Sequence, residues 1–184
     1  GCDGWQADLF VPAEKLLAAA PWIVVRGNHE SCSRAGQGWW RFLDPRPLLA
    51  GRDCNEAAND MQGNFSEPYA VPLGAGAQLI VLDTSATTYK GLAAGDPRMA
   101  KYAADYRRMD ELSRSAPYSI VVGHHPIFGF GATRNKAGEV TLFTGDKGLQ
   151  DAYGAVDPGI LPKGVKAVLS GHVHLWEQVS FSSE

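Results

Sequence analysis

Three times in this 184-residue chain a short apolar run ends in a glycine followed at once by side chains of the metal-ligand type. Trp22-Ile-Val-Val-Arg26 leads into Gly27-Asn28-His29-Glu30, and Tyr118-Ser-Ile-Val-Val122 leads into Gly123-His124-His125-Pro126. Val165 to Leu169 leads, through Ser170, into Gly171-His172-Val173-His174. These motifs hold all five histidines. Short runs rich in β-branched residues and bounded by Pro or Gly read as buried strands. In open α/β sheets ligands bind outside the carboxyl ends of strands. Three such strands side by side would gather Asn28, His29, His124, His125, His172 and His174 on one rim. Imidazole with an amide oxygen suits Zn, Fe, Mn or Ni rather than Cu(I). Read with a period of two, His172 and His174 point the same way and serve one ion or two adjacent ions. A lone histidine is usually a satisfied core or surface residue; the repetition of one design after three strands carries the metal reading.

The rest of the chain supplies an α/β frame. Leu9, Phe10, Ala13, Leu16, Leu17 and Ala20 form a helical stripe between Trp5 and Ala20, with Pro12 either in the first turn of the helix proper or at a kink. Gly27 to Asn64 is mostly irregular, with a short helix around Trp39 to Leu43. Phe65 to Val71 and Ala77 to Leu82 read as antiparallel strands joined through Pro72 and the Gly74-Ala-Gly76 turn. Asp96 is an N-cap ahead of Pro97, and Met99, Tyr102, Ala103, Tyr106, Met109 and Leu112 carry that helix to about Ser113. That stripe reads as core rather than as ligands. Ile127 to Gly164 is loop-rich, with a short helix from Asp146 to Tyr153, and Trp176 to Phe181 begins another strand. Strands alternating with helices place the chain in the α/β class.

Composition narrows the function classes. With 45% hydrophobic residues, 20% charged residues and a formal net charge of −3, the chain has neither a disordered composition nor a basic surface for nucleic acid. The longest apolar run, Leu16 to Val25, is ten residues long and contains Pro21, so it makes no membrane span. The length fits one domain with a real core. Cys2, Cys32 and Cys54 have no C-x-x-C spacing; they are either three small semi-buried residues or an oxidised Cys32–Cys54 pair with Cys2 left over. No Gly-x-Ser-x-Gly elbow, paired Cys nucleophile, Walker loop or His-x-His-x-Asp-His block is present.

The three blocks, in this order and spacing, resemble the third, fourth and fifth motifs of the calcineurin-like metallophosphoesterases, with a purple acid phosphatase-like flavour. The resemblance runs from about Trp5 to Trp176. It implies an α/β fold with a layered β-sheet core flanked by helices, the metallophosphoesterase-type α/β/β/α sandwich. It also implies hydrolysis of a phosphomonoester or phosphodiester, a small molecule or a phosphoprotein, at two divalent or trivalent metal ions (Fe, Zn or Mn) bridged by an aspartate. By resemblance Asn28, His124 and His172 bind one ion and His174 the other. His124 is preferred to His125 because the family's ligand lies two residues before the proline. His29 sits beside the substrate, stabilising the phosphoryl group or protonating the leaving oxygen.

Other roles stay open at this point. Glu30 either orients a neighbouring loop or accepts from a backbone amide. Asp83 is either a partner of a ligand histidine or a loop-capping carboxylate, and His125 either lines the pocket or is structural. Trp39, Trp40, Phe128, Phe130 and Arg134 are candidates for leaving-group contact. The family's first two blocks, Asp-x-His and Gly-Asp-x-x-Asp or Tyr, have no counterpart before Gly27. The expectation is therefore one incomplete domain over residues 1–184, lacking its first strands, weakly stable, holding at most one metal tightly and turning over little. The alternative is a non-catalytic metal- or phosphate-binding remnant. A secreted or periplasmic setting is favoured.

Overall fold

The computed structural model describes residues 2–180. Its frame is a four-stranded sheet in the order β1 (Tyr69–Gly74), β2 (Ala77–Val81), β3 (Tyr118–Val122) and β6 (Val165–Leu169). β1 pairs antiparallel with β2, whereas β2 with β3 and β3 with β6 are parallel. Helices α5 (Pro97–Ser113) and α6 (Lys147–Gly154) pack on each other. Ile80 and Leu82 from the β2 segment and Val121 from β3 meet Tyr102, Tyr106 and Met109 of α5 and Leu149, Ala152 and Tyr153 of α6. The α/β class and a sheet flanked by helices hold.

Local chemistry explains these elements. Asp96 caps α5 by accepting from the Arg98 N–H, and Pro97 costs nothing at a first position that has no intrahelical acceptor. Asp146 caps α6 in the same way, accepting from the Leu149 N–H. The β1–β2 hairpin closes on Ala75 and Gly76 at φ 50° and 78°, the two left-handed positions of a tight primed turn. Pro72 is tolerated because β1 is the edge of the sheet.

Several expectations are corrected. Trp22 to Arg26 forms no ladder; Trp22 to Val25 instead lines an apolar groove with Leu9, Phe10, Leu17, Phe42 and Leu43. A short apolar run satisfies that packing as well as it satisfies a sheet, and periodicity does not separate the two. Trp176 to Ser180 is also irregular, and Phe181 lies outside the described residues. The first strand of the hairpin starts at Tyr69 rather than Phe65. The N-terminal helix is one continuous run, α1 (Cys2–Trp5), a π-helical turn (Gln6–Phe10) and α2 (Val11–Ala19). The widened turn falls where the Pro12 ring would collide with the carbonyl four residues back.

The short helix near Trp39 is α3 (Gly36–Phe42), followed by the single turn α4 (Asp60–Gly63). Cys32 and Cys54 are joined as a disulfide. Within the loop-rich Ile127 to Gly164 stretch lies an unexpected hairpin, β4 (Gly131–Arg134) with β5 (Val140–Phe143).

Candidate metal centre

The parallel register brings the ends of three strands into one row: Val81 pairs with Val122, and Val122 with Leu169. The ladder continues into the loops, with the Leu82 N–H donating to Val122 O, Gly123 N–H to Leu169 O, and Gly171 N–H to His124 O. His124, His125 and His172 therefore leave the sheet at one level. Their ring nitrogens include one set lying within 4.8 Å of one another.

Asn28 reaches the same place by a different route. It opens a 3-10 turn, Asn28–Glu30, that is held from inside. The Gly27 N–H donates to Glu30 Oε2 at 3.0 Å, which settles the role of Glu30 as a backbone acceptor. Arg26 forks onto Glu30 O through Nε and Nη2 at 2.9 and 2.7 Å. Its Nη1 forms an ion pair with Asp83 at 3.0 Å, both side chains almost wholly out of solvent. Asp83 Oδ2 also accepts from the Ser66 N–H and hydroxyl, and Oδ1 from the Ser85 N–H. Asp83 thus braces a loop and pairs with arginine; its hydrogen bonds go to no histidine.

The three donors converge tightly. His124 Nε2 lies 3.1 Å from Asn28 Oδ1 and 3.1 Å from His172 Nδ1. His124 Nε2 offers either one proton or one lone pair, so hydrogen bonding alone makes it divide that single group between two partners, whichever way the Asn28 amide is turned. A cation removes that conflict, since donors about 2.1 Å from one metal ion sit roughly 3.0–3.4 Å apart. The residues present fit a metal ion.

Protonation favours ligation as well. Burial, then the neighbouring His172, His29 and His174, hold His124 below its usual value. Burial also lowers His172, with the Asp146 carboxylate opposing and His174 and His29 adding to the effect. Neutral imidazole is the form that binds metal.

His125 plays a separate part. Its ring lies 4.1 Å from the His172 ring and 4.9 Å from that of His124, and burial pushes it down to about 3. Its N–H donates to Thr84 Oγ1 at 2.9 Å, and its Nδ1 lies 3.2 Å from the same hydroxyl. His29 and His174 are exposed and lie outside the three-histidine group, though both act electrostatically on His124 and His172. The period-two reading of His172 and His174 is corrected: both have left-handed backbone, φ 70° and 55°, so the segment is a turn and not an extended strand.

The calcineurin-like phosphoesterase family model matches residues 3–175. The chain belongs to that family. No curated protein and no solved structure matches it significantly. Within this phosphoesterase-family chain, sequence reasoning passed over Arg26, Thr84 and Asp146. Arg26 was legible as a charge closing an apolar run. Asp146 is a buried cap whose Oδ2 has no protein partner and whose charge acts on His172. Trp39 and Trp40 are corrected as leaving-group contacts, since both are buried. The Arg26 and Arg52 guanidinium groups lie 5.2 and 4.9 Å from the centroid of the Trp40 ring, and its indole N–H donates to Gly63 O. Phe130 is exposed and Arg134 lies on the exposed β4–β5 hairpin.

Proposed function

We propose that this chain is one domain whose metal centre hydrolyses phosphate esters, in the manner of the purple acid phosphatase-like branch. The observation that carries the reading is the convergence of Asn28 Oδ1, His124 Nε2 and His172 Nδ1. These three hold one ion, and His174, on the solvent side of the same turn, serves a second. Iron, zinc and manganese all suit the donor set. When bound, the ions supply Lewis-acid polarisation of the phosphoryl group.

The remaining chemistry belongs to the chain. His29 is exposed beside the ligand Asn28 and delivers a proton to the leaving oxygen. Glu30 and Arg26 fix the turn that carries it. Burial of His124 and His172 favours the neutral rings, each with one nitrogen lone pair free to bind metal. The substrate is a phosphomonoester or phosphodiester, on a small molecule or a phosphoprotein, and the dinuclear arrangement belongs to this same proposal.

A second reading is a non-catalytic metal- or phosphate-binding module. One observation favours it: among the described residues, a single group of three His, Cys, Asp or Glu side chains has metal-ligand spacing, and His174 is not in it. Metal analysis combined with turnover of p-nitrophenyl phosphate and bis-p-nitrophenyl phosphate separates the two. Metal-dependent release of nitrophenol that falls at least about tenfold in His29→Ala supports the enzyme. Stoichiometric metal without turnover supports the binding module.

A further inference from the structure

Asp83 and Thr84 follow β2 after Leu82 and lie behind two ligand-bearing turns at once. From Asp83 the contact runs through the Arg26 guanidinium to Glu30 O, the last residue of the turn that presents Asn28. From Thr84 it runs through one hydroxyl to the backbone N–H and the ring of His125, the neighbour of His124. Both Arg26 and Thr84 are 1% exposed, and Asp83 is 5% exposed.

A buried ion pair is a poor way to gain stability, because desolvating both charges consumes most of their attraction. Its value here is geometric. A guanidinium that forks onto one carbonyl and pairs with one carboxylate fixes the distance between them in a way an apolar contact does not. Asn28 has no ladder to place it, since the run before it joins no sheet.

We propose that the Asp83-Thr84 dipeptide, with Arg26 as its arm, is a positioning device that sets the spacing between Asn28 and His124 for metal binding. It rests on the metal-centre reading above, and acts through the turns rather than by touching the ion. Thr84 holds the His124-His125 turn from one side while Asp83 holds the Asn28–Glu30 turn from the other. A shift at the end of β2 moves both donors.

Co2+ titration of the whole chain, followed by its visible absorption, tests this. The position and intensity of the cobalt band report donor number and geometry, which a merely structural role would leave unchanged. Thr84→Val, nearly isosteric, is expected to weaken cobalt binding about tenfold or more and to alter the band, and Thr84→Ser to restore both. Arg26→Lys keeps the charge but loses the fork and is expected to weaken binding similarly. His124→Ala is the control for the site itself. If it binds cobalt like the wild type, the metal-centre reading fails. If it abolishes binding while Thr84→Val and Arg26→Lys, with wild-type circular dichroism, bind normally, the positioning proposal alone is overturned. Loss of the fold in both variants also overturns it, in favour of a purely structural role.

Discussion

The two turns that present Asn28 and His172 to the His124 ring are fastened differently. The Asn28 turn follows a segment with no strand partners; besides its backbone bonds, Glu30 N–H to Gly27 O and Ala35 N–H to His29 O, it is tied by side chains: the Glu30 carboxylate on Gly27 N–H, the Arg26 fork on Glu30 O, and the Asp83 pair behind it. The His172 turn follows β6 and is tied by backbone, Gly171 N–H to His124 O and Val173 N–H to Gly171 O. It also carries two non-glycine residues in left-handed backbone, His172 and His174. The first turn therefore depends on buried charge, and the second holds local strain that the sheet stabilises. Left-handed backbone costs roughly 1–2 kcal/mol per non-glycine residue and persists only where the surroundings over-determine it.

The largest expected effect removes the point where the two turns meet. His124→Ala deletes the nitrogen that faces both Asn28 and His172. Stoichiometric zinc or cobalt binding should vanish, measured as metal retained after gel filtration. Full retention would mean that the two turns do not share an ion. Second in size is the side-chain-tied turn itself. Asp83→Ala leaves the Arg26 guanidinium buried without its carboxylate, and stability in urea should fall by about 3–5 kcal/mol. Breaking the exposed Arg108–Glu111 pair with Arg108→Ala should cost less than about 1 kcal/mol. Equal losses in the two variants would remove the distinction between charge that positions and charge that decorates.

The legible part of this molecule was what local pattern encodes. Asp96-Pro97 marked the start of α5 and the stripe its end at about Ser113, because a cap, a proline and a 3.6 period agree. The runs at Tyr118 and Val165 were legible as strands, and their glycine-plus-histidine endings located the rim. The resemblance to the metallophosphoesterases pointed to the family that the chain's match then showed. What escaped was non-local. Nothing in Trp22 to Arg26 reveals whether a neighbour is there to pair with, so an apolar segment against the Val11–Ala19 helix looked like a strand. The Arg26–Asp83 contact spans 57 positions, and no spacing rule reaches that far. The β4–β5 hairpin was within reach, since Gly138 closes a polar turn between alternating runs, but its exposed apolar face hid the pattern.

A third effect lies behind the side-chain-tied turn and is graded by pH. Asp105 on α5 is buried, and burial, then the charges of Asp83 and Glu67, push it up from 3.8 to about 8. Lys101 and Arg46 offset this in part. Between those two values the folded chain keeps a proton that the unfolded chain has released, so stability falls as pH rises through that window. The slope is at most about 1.4 kcal/mol per pH unit. Asp105→Asn should match the wild type near pH 4 and become progressively more stable relative to it towards pH 8, with a level difference above. Urea midpoints across that range read the effect, and parallel pH profiles would show that Asp105 is not held protonated.

The smallest effect tests the backbone-tied turn. His174 is exposed and sits at φ 55°, so removing its side chain costs little packing, while the residue chosen decides whether the strain stays. Alanine has a Cβ and keeps the penalty; glycine has none and releases it. His174→Gly should therefore be more stable than His174→Ala by about 1 kcal/mol, reduced by the extra freedom that glycine gives the unfolded chain. The same pair of substitutions at His29, in the side-chain-tied turn, has no left-handed backbone to relieve, and glycine there should be the less stable of the two. If glycine is worse at both positions, the His172–His174 segment is not strained, and the contrast between the two turns reduces to the buried charge on one side of the site.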